Sequence, residues 1–199
     1  MILADAALQA ALAAIPSLPY NHQCVRRIDA RHLIKPGAIP LWARGSRIDG
    51  GRFTPIGSKD TLYLAEDQFT ALAEAMAPLV LPTLPASAYI NQPVVELPVR
   101  CVISRILDLT DDSNQARLET NYQELTGDWR VLQDRGQEAP TQRSGIQAFQ
   151  SGRFQAIRFP SSKLRPRGVC LAVFVDLLVP GKDYVEVIDP YGNLLDRIP

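Results

Sequence analysis

The sequence predicts a single α+β domain built on a mostly antiparallel or mixed sheet. Sixteen prolines in 199 residues divide the chain into short elements and argue against a helical bundle. The patterns run helix, loop, strand, helix, strands, helix, strands, without the regular alternation of βαβ units. A hydrophobic content of 46% fills one core at this length, so residues 1–199 read as one domain. No internal repeat is visible; Gly-Arg-Phe recurs at 51–53 and 152–154, too short a string to mark a duplication.

Residues 2–15 are rich in Ala and Leu but contain Asp5, and no Lys or Arg precedes Arg26. A secretory signal starts positive, so Leu8, Leu12 and Ile15 read instead as the apolar face of a first helix within residues 1–20. Residues 36–57, rich in Gly, Arg and Pro, read as a long loop, and residues 61–65 as a short strand. Asp67 then caps a helix whose apolar stripe is Phe69, Leu72, Ala73, Met76 and Val80, with Pro78 near its end. Residues 94–109 are β-rich, interrupted by Pro98. Residues 111–142 are polar and helical or looped, and 146–152 read as the end of a short helix. Residues 156–159 and 169–176 are strands; the second is almost wholly apolar, as a central strand buried on both faces is. Residues 184–188 alternate as a final strand.

Several functional classes are disfavoured by composition. Twenty-one basic and 21 acidic residues leave no net charge to favour a nucleic acid or a membrane surface. No apolar run reaches the roughly 18 residues of a membrane span. Cys24, Cys101 and Cys170 are widely spaced and form no C-x-x-C, which fits reduced core thiols in a cytoplasmic protein. Phosphate-loop, dinucleotide-fingerprint and nucleophile-elbow motifs are absent. The two histidines, His22 and His32, have no zinc-type partners beyond the His22-x-Cys24 pair, so no metal site is expected. Nothing local supports a serine–histidine–acid triad.

One stretch stands out as a unit: Gly50-Gly51-Arg52-Phe53-Thr54-Pro55-Ile56-Gly57-Ser58, then Thr61-Leu62-Tyr63-Leu64-Ala65, then Thr70-Ala71-Leu72-Ala73-Glu74. Two glycines permit close backbone approach. An arginine follows at once, a strand delivers Tyr63, and a helix delivers Glu74.

This string resembles the core motif of the RES-domain family, named for an arginine, a glutamate and a serine. Residues 25–32 (Val-Arg-Arg-Ile-Asp-Ala-Arg-His) resemble its N-terminal arginine motif, Pro40-Leu41 the stretch between, and residues 157–162 (Ile-Arg-Phe-Pro-Ser-Ser) its serine motif. The resemblance covers residues 25–176; Thr54 departs from it, standing where an asparagine is usual. It implies an ADP-ribosyltransferase-like fold, a split sheet around an NAD⁺ cleft. It implies cleavage of the nicotinamide–ribose bond, in some members with phosphate as co-substrate, and no further cofactor. It implies the toxin half of a bacterial toxin–antitoxin pair, blocked by a DNA-binding type of antitoxin. Carried over by position, it makes Glu74, Arg52, Tyr63 and Ser161 catalytic, and Arg26, Gly51, Arg52 and Tyr63 NAD⁺-binding.

The residue types suit that chemistry. Cleavage of NAD⁺ passes through an oxocarbenium-like centre, as glycoside hydrolysis does. A carboxylate suits the developing charge, an arginine fork suits a pyrophosphate, and a tyrosine offers a ring face and a hydroxyl to the nicotinamide.

Taken without the resemblance, each residue has a plainer reading. Glu74 lies about 140° from the stripe of its helix, at roughly 100° per residue, which is ordinarily a solvated face. Arg52 caps a loop or meets Asp49. Tyr63 is a strand residue with a wet hydroxyl, and Ser161 a turn residue. Arg26 or Arg27 fits the arginine motif, Arg26 with the better register, and Ser161 or Ser162 the serine motif. Arg153, Arg158, Lys163, Arg165 and Arg167 form a basic run that reads either as solvated surface or as an attractor for an anionic substrate or acidic antitoxin segment. A protein ADP-ribosyltransferase would share the same cleft, and a non-catalytic nucleotide-binding module the same fold.

Overall fold

The computed structural model describes residues 2–34, 37–76 and 93–199. It is a mixed α/β structure: one mixed sheet of seven described strands with helices flanking it. The chain opens with α1 (Asp5–Ala14), whose Leu8 and Leu12, with Ile15 after it, are fully buried as their spacing requires. β1 (Leu18–Asp29) follows, then a 3₁₀ turn, α2 (Gly45–Asp49), β2 (Thr61–Ala65) and α3 (Gln68–Met76). After β3 (Val94–Asp108) come α4 (Asp112–Arg117), α5 (Tyr122–Thr126), α6 (Trp129–Asp134) and α7 (Pro140–Gln150). The first three of these open on side-chain caps from Asp111, Asn121 and Asp128. β4 (Ala156–Pro160), β5 (Val169–Phe174), β6 (Tyr184–Val187) and β7 (Arg197–Ile198) complete the sheet.

The structure departs from the sequence reading at four points. β1 has no counterpart in the sequence reading, because only Tyr20 and Cys24 of its twelve residues are buried and the strand carries no clear alternation of apolar residues. Residues 36–57 are not all loop, since α2 lies within them, and β6 is followed by a further strand. The stripe on α3 is also reversed. Asp67 caps the helix as expected, accepting from the Phe69 and Thr70 amides at 2.8 and 2.9 Å. Yet Phe69 and Leu72 are 65% and 38% exposed, while Thr70 and Ala71 are buried. The helix lies against β1 and β2 through its small residues, which lets its axis come close to the sheet. The Met76 side chain, Pro78 and Val80 lie outside the described residues.

Strand pairings close on themselves. β1 pairs antiparallel with β3 along nearly its whole length, β3 parallel with β4, β4 antiparallel with β5, and β5 antiparallel with β2. β2 returns to β1 through one pair, Val25↔Ala65. Apolar residues fill both sides of this ring. Leu171 and Val173 of β5 face a cluster with Cys24, Leu62, Val99 and Cys101. Cys170, Ala172 and Phe174 face a second cluster with Leu8, Leu12, Phe53 and Phe154. β5 is thus buried on both faces, as its unbroken apolar run predicts. The three cysteines are free and buried.

On one side of the Val25↔Ala65 pair the ring is tied by charge. Arg158 of β4 donates to both carboxylate oxygens of Glu66 at 2.7 and 2.9 Å and to Asp108 of β3 at 3.1 Å. Tyr20 of β1 donates to Glu66 at 2.9 Å. Arg158 is therefore not a solvated member of a basic run. Its fork is matched by carboxylates, and four strands are linked through it.

One buried cation has no such match. Lys59 is 5% exposed and takes part in no ion pair among the described residues. Burial pulls its ammonium from 10.5 to about 8. The unfolded chain then holds this proton more tightly than the folded one between those values, so Lys59 destabilises the fold below pH 8 and ceases to do so toward pH 10.5. Tyr63, Cys101 and Cys170, all shifted upward, pull the other way as pH rises, so the effect is isolated by comparison with a variant. Lys59→Met should unfold at higher urea than wild type at pH 7, with the gap closing by about 3 kcal/mol toward pH 10.5. Parallel urea titrations across that range measure it; a gap independent of pH would show that Lys59 does not carry a depressed pKa.

Candidate active site

On the other side of the Val25↔Ala65 pair, β1 and β2 share no further pairing among the described residues. A cleft of about 710 Å³ opens there, lined by Val25 to Asp29 of β1 and by Thr61, Tyr63, Leu64 and Ala65 of β2. Of the candidate site residues, Arg26, Gly51, Arg52, Tyr63 and Glu74 border it, and the buried Ser161 stands directly behind.

Gly50 ends α2 with φ 79°, a conformation that a side chain disfavours. Gly51 is required for a different reason: a Cβ there would stand 2.6 Å from the Tyr63 hydroxyl. Gly51 and Thr54 exchange backbone hydrogen bonds at 2.7 and 3.1 Å, which makes a tight turn with Arg52 at its tip. The Tyr63 hydroxyl accepts from the Phe53 amide at 2.9 Å and bonds Thr54 Oγ1 at 3.1 Å; Thr54 in turn donates to Thr61 at 2.8 Å. Thr54 is fully buried and works as a link in this chain. The hydroxyl of Tyr63 is thus turned to the loop, and its ring is what the cleft receives.

Arg52 does not pair with Asp49. Its Nη1 donates to the carbonyls of Leu125 and Gly127 at the end of α5, both at 2.8 Å. Burial lowers its pKa, and Glu74 and Tyr63 act against that. The loop is braced from behind by Gln142, which donates to the Gly51 carbonyl at 3.2 Å and to Gln133 at 2.9 Å.

Glu74 faces the cleft because α3 packs by its small residues. Its Oε1 accepts from Ser161 Oγ at 2.5 Å and from the Ser162 amide at 3.0 Å. Ser161 is fully buried, and its Oγ also accepts from the amides of Lys163 and Leu164 at 3.1 Å. The one hydroxyl proton is directed at the carboxylate, so Ser161 positions Glu74 and is not set up as a nucleophile. Ser162, by contrast, lines the cleft with a buried Oγ that has no hydrogen-bond partner among the described residues. The two serines that the sequence left open therefore do different things.

Arg26 and Arg27 both border the cleft. Arg26 donates to the Trp42 carbonyl at 2.7 Å, its Nε lacks a partner among the described residues, and burial lowers its pKa to about 10. Arg27 lies 3.6 Å from Glu96, with Nε and Nη1 lacking hydrogen bonds among the described residues. The basic run divides: Lys163 and Arg165 join the cleft wall, while Arg153 donates to the Ile15 carbonyl. Arg130, stacked on Trp129 at 4.4 Å, and the half-exposed Trp42 also line the cleft. Neither was singled out from the sequence, since each is a lone residue in an otherwise unpatterned stretch. Among the described residues no three His, Cys, Asp or Glu side chains gather as a metal site would need. No described helix is long and apolar enough to cross a membrane.

The fold agrees with comparison to known proteins. The family model of the RES domain matches residues 25–194, and this chain belongs to the RES-domain family. A search of curated proteins finds no match. Among solved structures, a chain of the crystal structure of the M. tuberculosis MbcT–MbcA toxin–antitoxin complex resembles this one with a TM-score of 0.72. That match covers 93% of this chain and 91% of the other at 19% identity, a likeness of fold.

Ser161→Ala should lower stability by about 1–3 kcal/mol, because two backbone amides lose their acceptor and Glu74 loses a donor inside the fold. Ser162→Ala should leave the urea midpoint within about 0.5 kcal/mol of wild type. Equal destabilisation by the two would contradict the division of roles.

Proposed function

We propose that this chain is an NAD⁺-consuming enzyme, the toxin half of a toxin–antitoxin pair, acting in the cytoplasm on an ADP-ribosyltransferase-like fold. The observation that carries the reading is Glu74, held by Ser161 and the Ser162 amide beside Arg52 in a cleft between parting strands. Family membership and the likeness to a chain of a toxin–antitoxin complex support the toxin role and a cognate antitoxin as partner; that the antitoxin is of DNA-binding type is part of the proposal.

In this reading Arg26 and Arg52 take the pyrophosphate, Gly51 lets it approach the turn closely, and the Tyr63 ring faces the nicotinamide. The bond from ribose C1′ to the nicotinamide nitrogen breaks, and its electron pair leaves with the now neutral nicotinamide. The ribosyl cation that develops is stabilised by the Glu74 carboxylate. An acceptor oxygen, from water or phosphate, forms the new bond to C1′ and releases its proton to solvent; a protein side chain as acceptor would make the enzyme an ADP-ribosyltransferase. Incubating the protein with NAD⁺, with and without phosphate, and identifying the ribosyl product assigns the acceptor. Unchanged NAD⁺ in both would defeat the reading.

Expression without an antitoxin should slow bacterial growth and lower cellular NAD⁺; normal growth with soluble folded protein would argue against a toxin. Glu74→Gln keeps the acceptor oxygen for Ser161 and Ser162 but removes the charge. Turnover should fall on the order of 10²–10³-fold, with NAD⁺ affinity and melting temperature nearly unchanged. Arg52→Ala should weaken NAD⁺ binding more than Arg52→Lys, since a point charge keeps attraction but loses the fork. Titration calorimetry with NAD⁺ separates them, and wild-type affinity in both would remove Arg52 from the binding surface.

A further inference from the structure

Lys59 borders no part of the cleft, yet it sits directly beneath the loop that shapes it. Its Nζ donates to the Phe53 carbonyl at 3.2 Å and lies 5.3 and 5.1 Å from the ring centroids of Phe149 and Phe174. An ammonium has three donors, and here one carbonyl and two ring faces receive them. An apolar side chain of similar length would fill the same space without desolvating a charge, and by that measure a lysine is the wrong residue.

Phe53 explains its presence. This residue follows Arg52 and is fully buried, with its ring edge-on to Phe159 at 4.7 Å. Its amide donates to the Tyr63 hydroxyl at 2.9 Å. Its carbonyl is covered by α7, where Gly145 alone allows the approach: a Cβ there would stand 2.0 Å from that oxygen. A carbonyl pressed against a helix backbone in an apolar layer needs a donor, and Lys59 supplies it. Both ends of the Phe53 residue are thereby fixed, and with them the tip of the turn that carries Arg52.

We propose that Lys59 is a positioning residue for NAD⁺ cleavage: it holds the Phe53 carbonyl and so fixes Arg52 and Tyr63 at the cleft, at a cost in fold stability. This rests on the reading of the cleft as the NAD⁺ site, and the test keeps the two separable. In Lys59→Met, amide exchange across residues 50–57 should speed up about tenfold while the unfolding midpoint at pH 7 stays at or above that of wild type. The value of kcat/KM for NAD⁺ should fall about 10–10²-fold, the scale of a misplaced binding group. Wild-type exchange in residues 50–57 would overturn the proposal, and so would unchanged kcat/KM. A lowered midpoint with faster exchange throughout the chain would also overturn it, because Lys59 would then serve the fold and not the site. If wild-type protein consumes no NAD⁺, the functional reading fails, and the exchange and unfolding data still decide whether Lys59 fixes the loop.

Discussion

The architecture turns on one residue pair. Val25↔Ala65 is the sole β1–β2 pairing among the described residues, and it divides the ring of strands into a closed side and an open one. On the closed side, Glu66 gathers Arg158 and Tyr20, while Arg158 also reaches Asp108, so the ends of β1, β2, β3 and β4 are drawn together through matched charge. On the open side, β1 runs on with β3 as its partner while β2 follows β5, and the space between them is the cleft. Strand edges exposed in this way carry unpaired backbone groups and concave walls, a suitable setting for a polar ligand.

Around that opening, three kinds of element deliver side chains at fixed positions, each locked by a different device. A glycine turn closes on itself and on Tyr63, which puts Arg52 at its tip against the last carbonyls of α5. A short helix packs through Thr70 and Ala71, which places Glu74 at the cleft. The turn after β4 folds so that Ser161 meets Glu74 from behind with every hydrogen-bonding site of its hydroxyl in use. Arg52 and Glu74 are thus each held by hydrogen bonds to neighbouring groups, and support of that kind is what precise electrostatic placement requires. Lys59 extends this arrangement one layer deeper, at the expense of a buried charge.

Local pattern was sufficient wherever one chemical feature fixed the outcome. The spacing of Leu8, Leu12 and Ile15, the Asp67 cap, the TLYLA strand and the unbroken apolar run of β5 all appear as read, because helix period, capping and two-sided burial leave direct marks on sequence. The motif residues Arg52, Tyr63 and Glu74 were likewise visible, since glycines, an arginine, a tyrosine and a glutamate at that spacing are unusual together.

What the sequence could not determine was orientation against neighbours distant in the chain. Phe69 and Leu72 of α3 point outward because close approach to the sheet favours Thr70 and Ala71, a choice set by packing space and not by hydrophobicity. β1 escaped notice because few of its side chains are buried and β3 supplies the pairing that makes it a strand. Ser161 and Ser162 are neighbours of the same type, and only the position of Glu74, 87 residues away, separates a bracing hydroxyl from one that lines the cleft. The sequence by itself determined which groups were present and which short elements carried them. Tertiary structure decided what each group faces, because direction and burial are properties of the packed neighbours and are not written in the local chain.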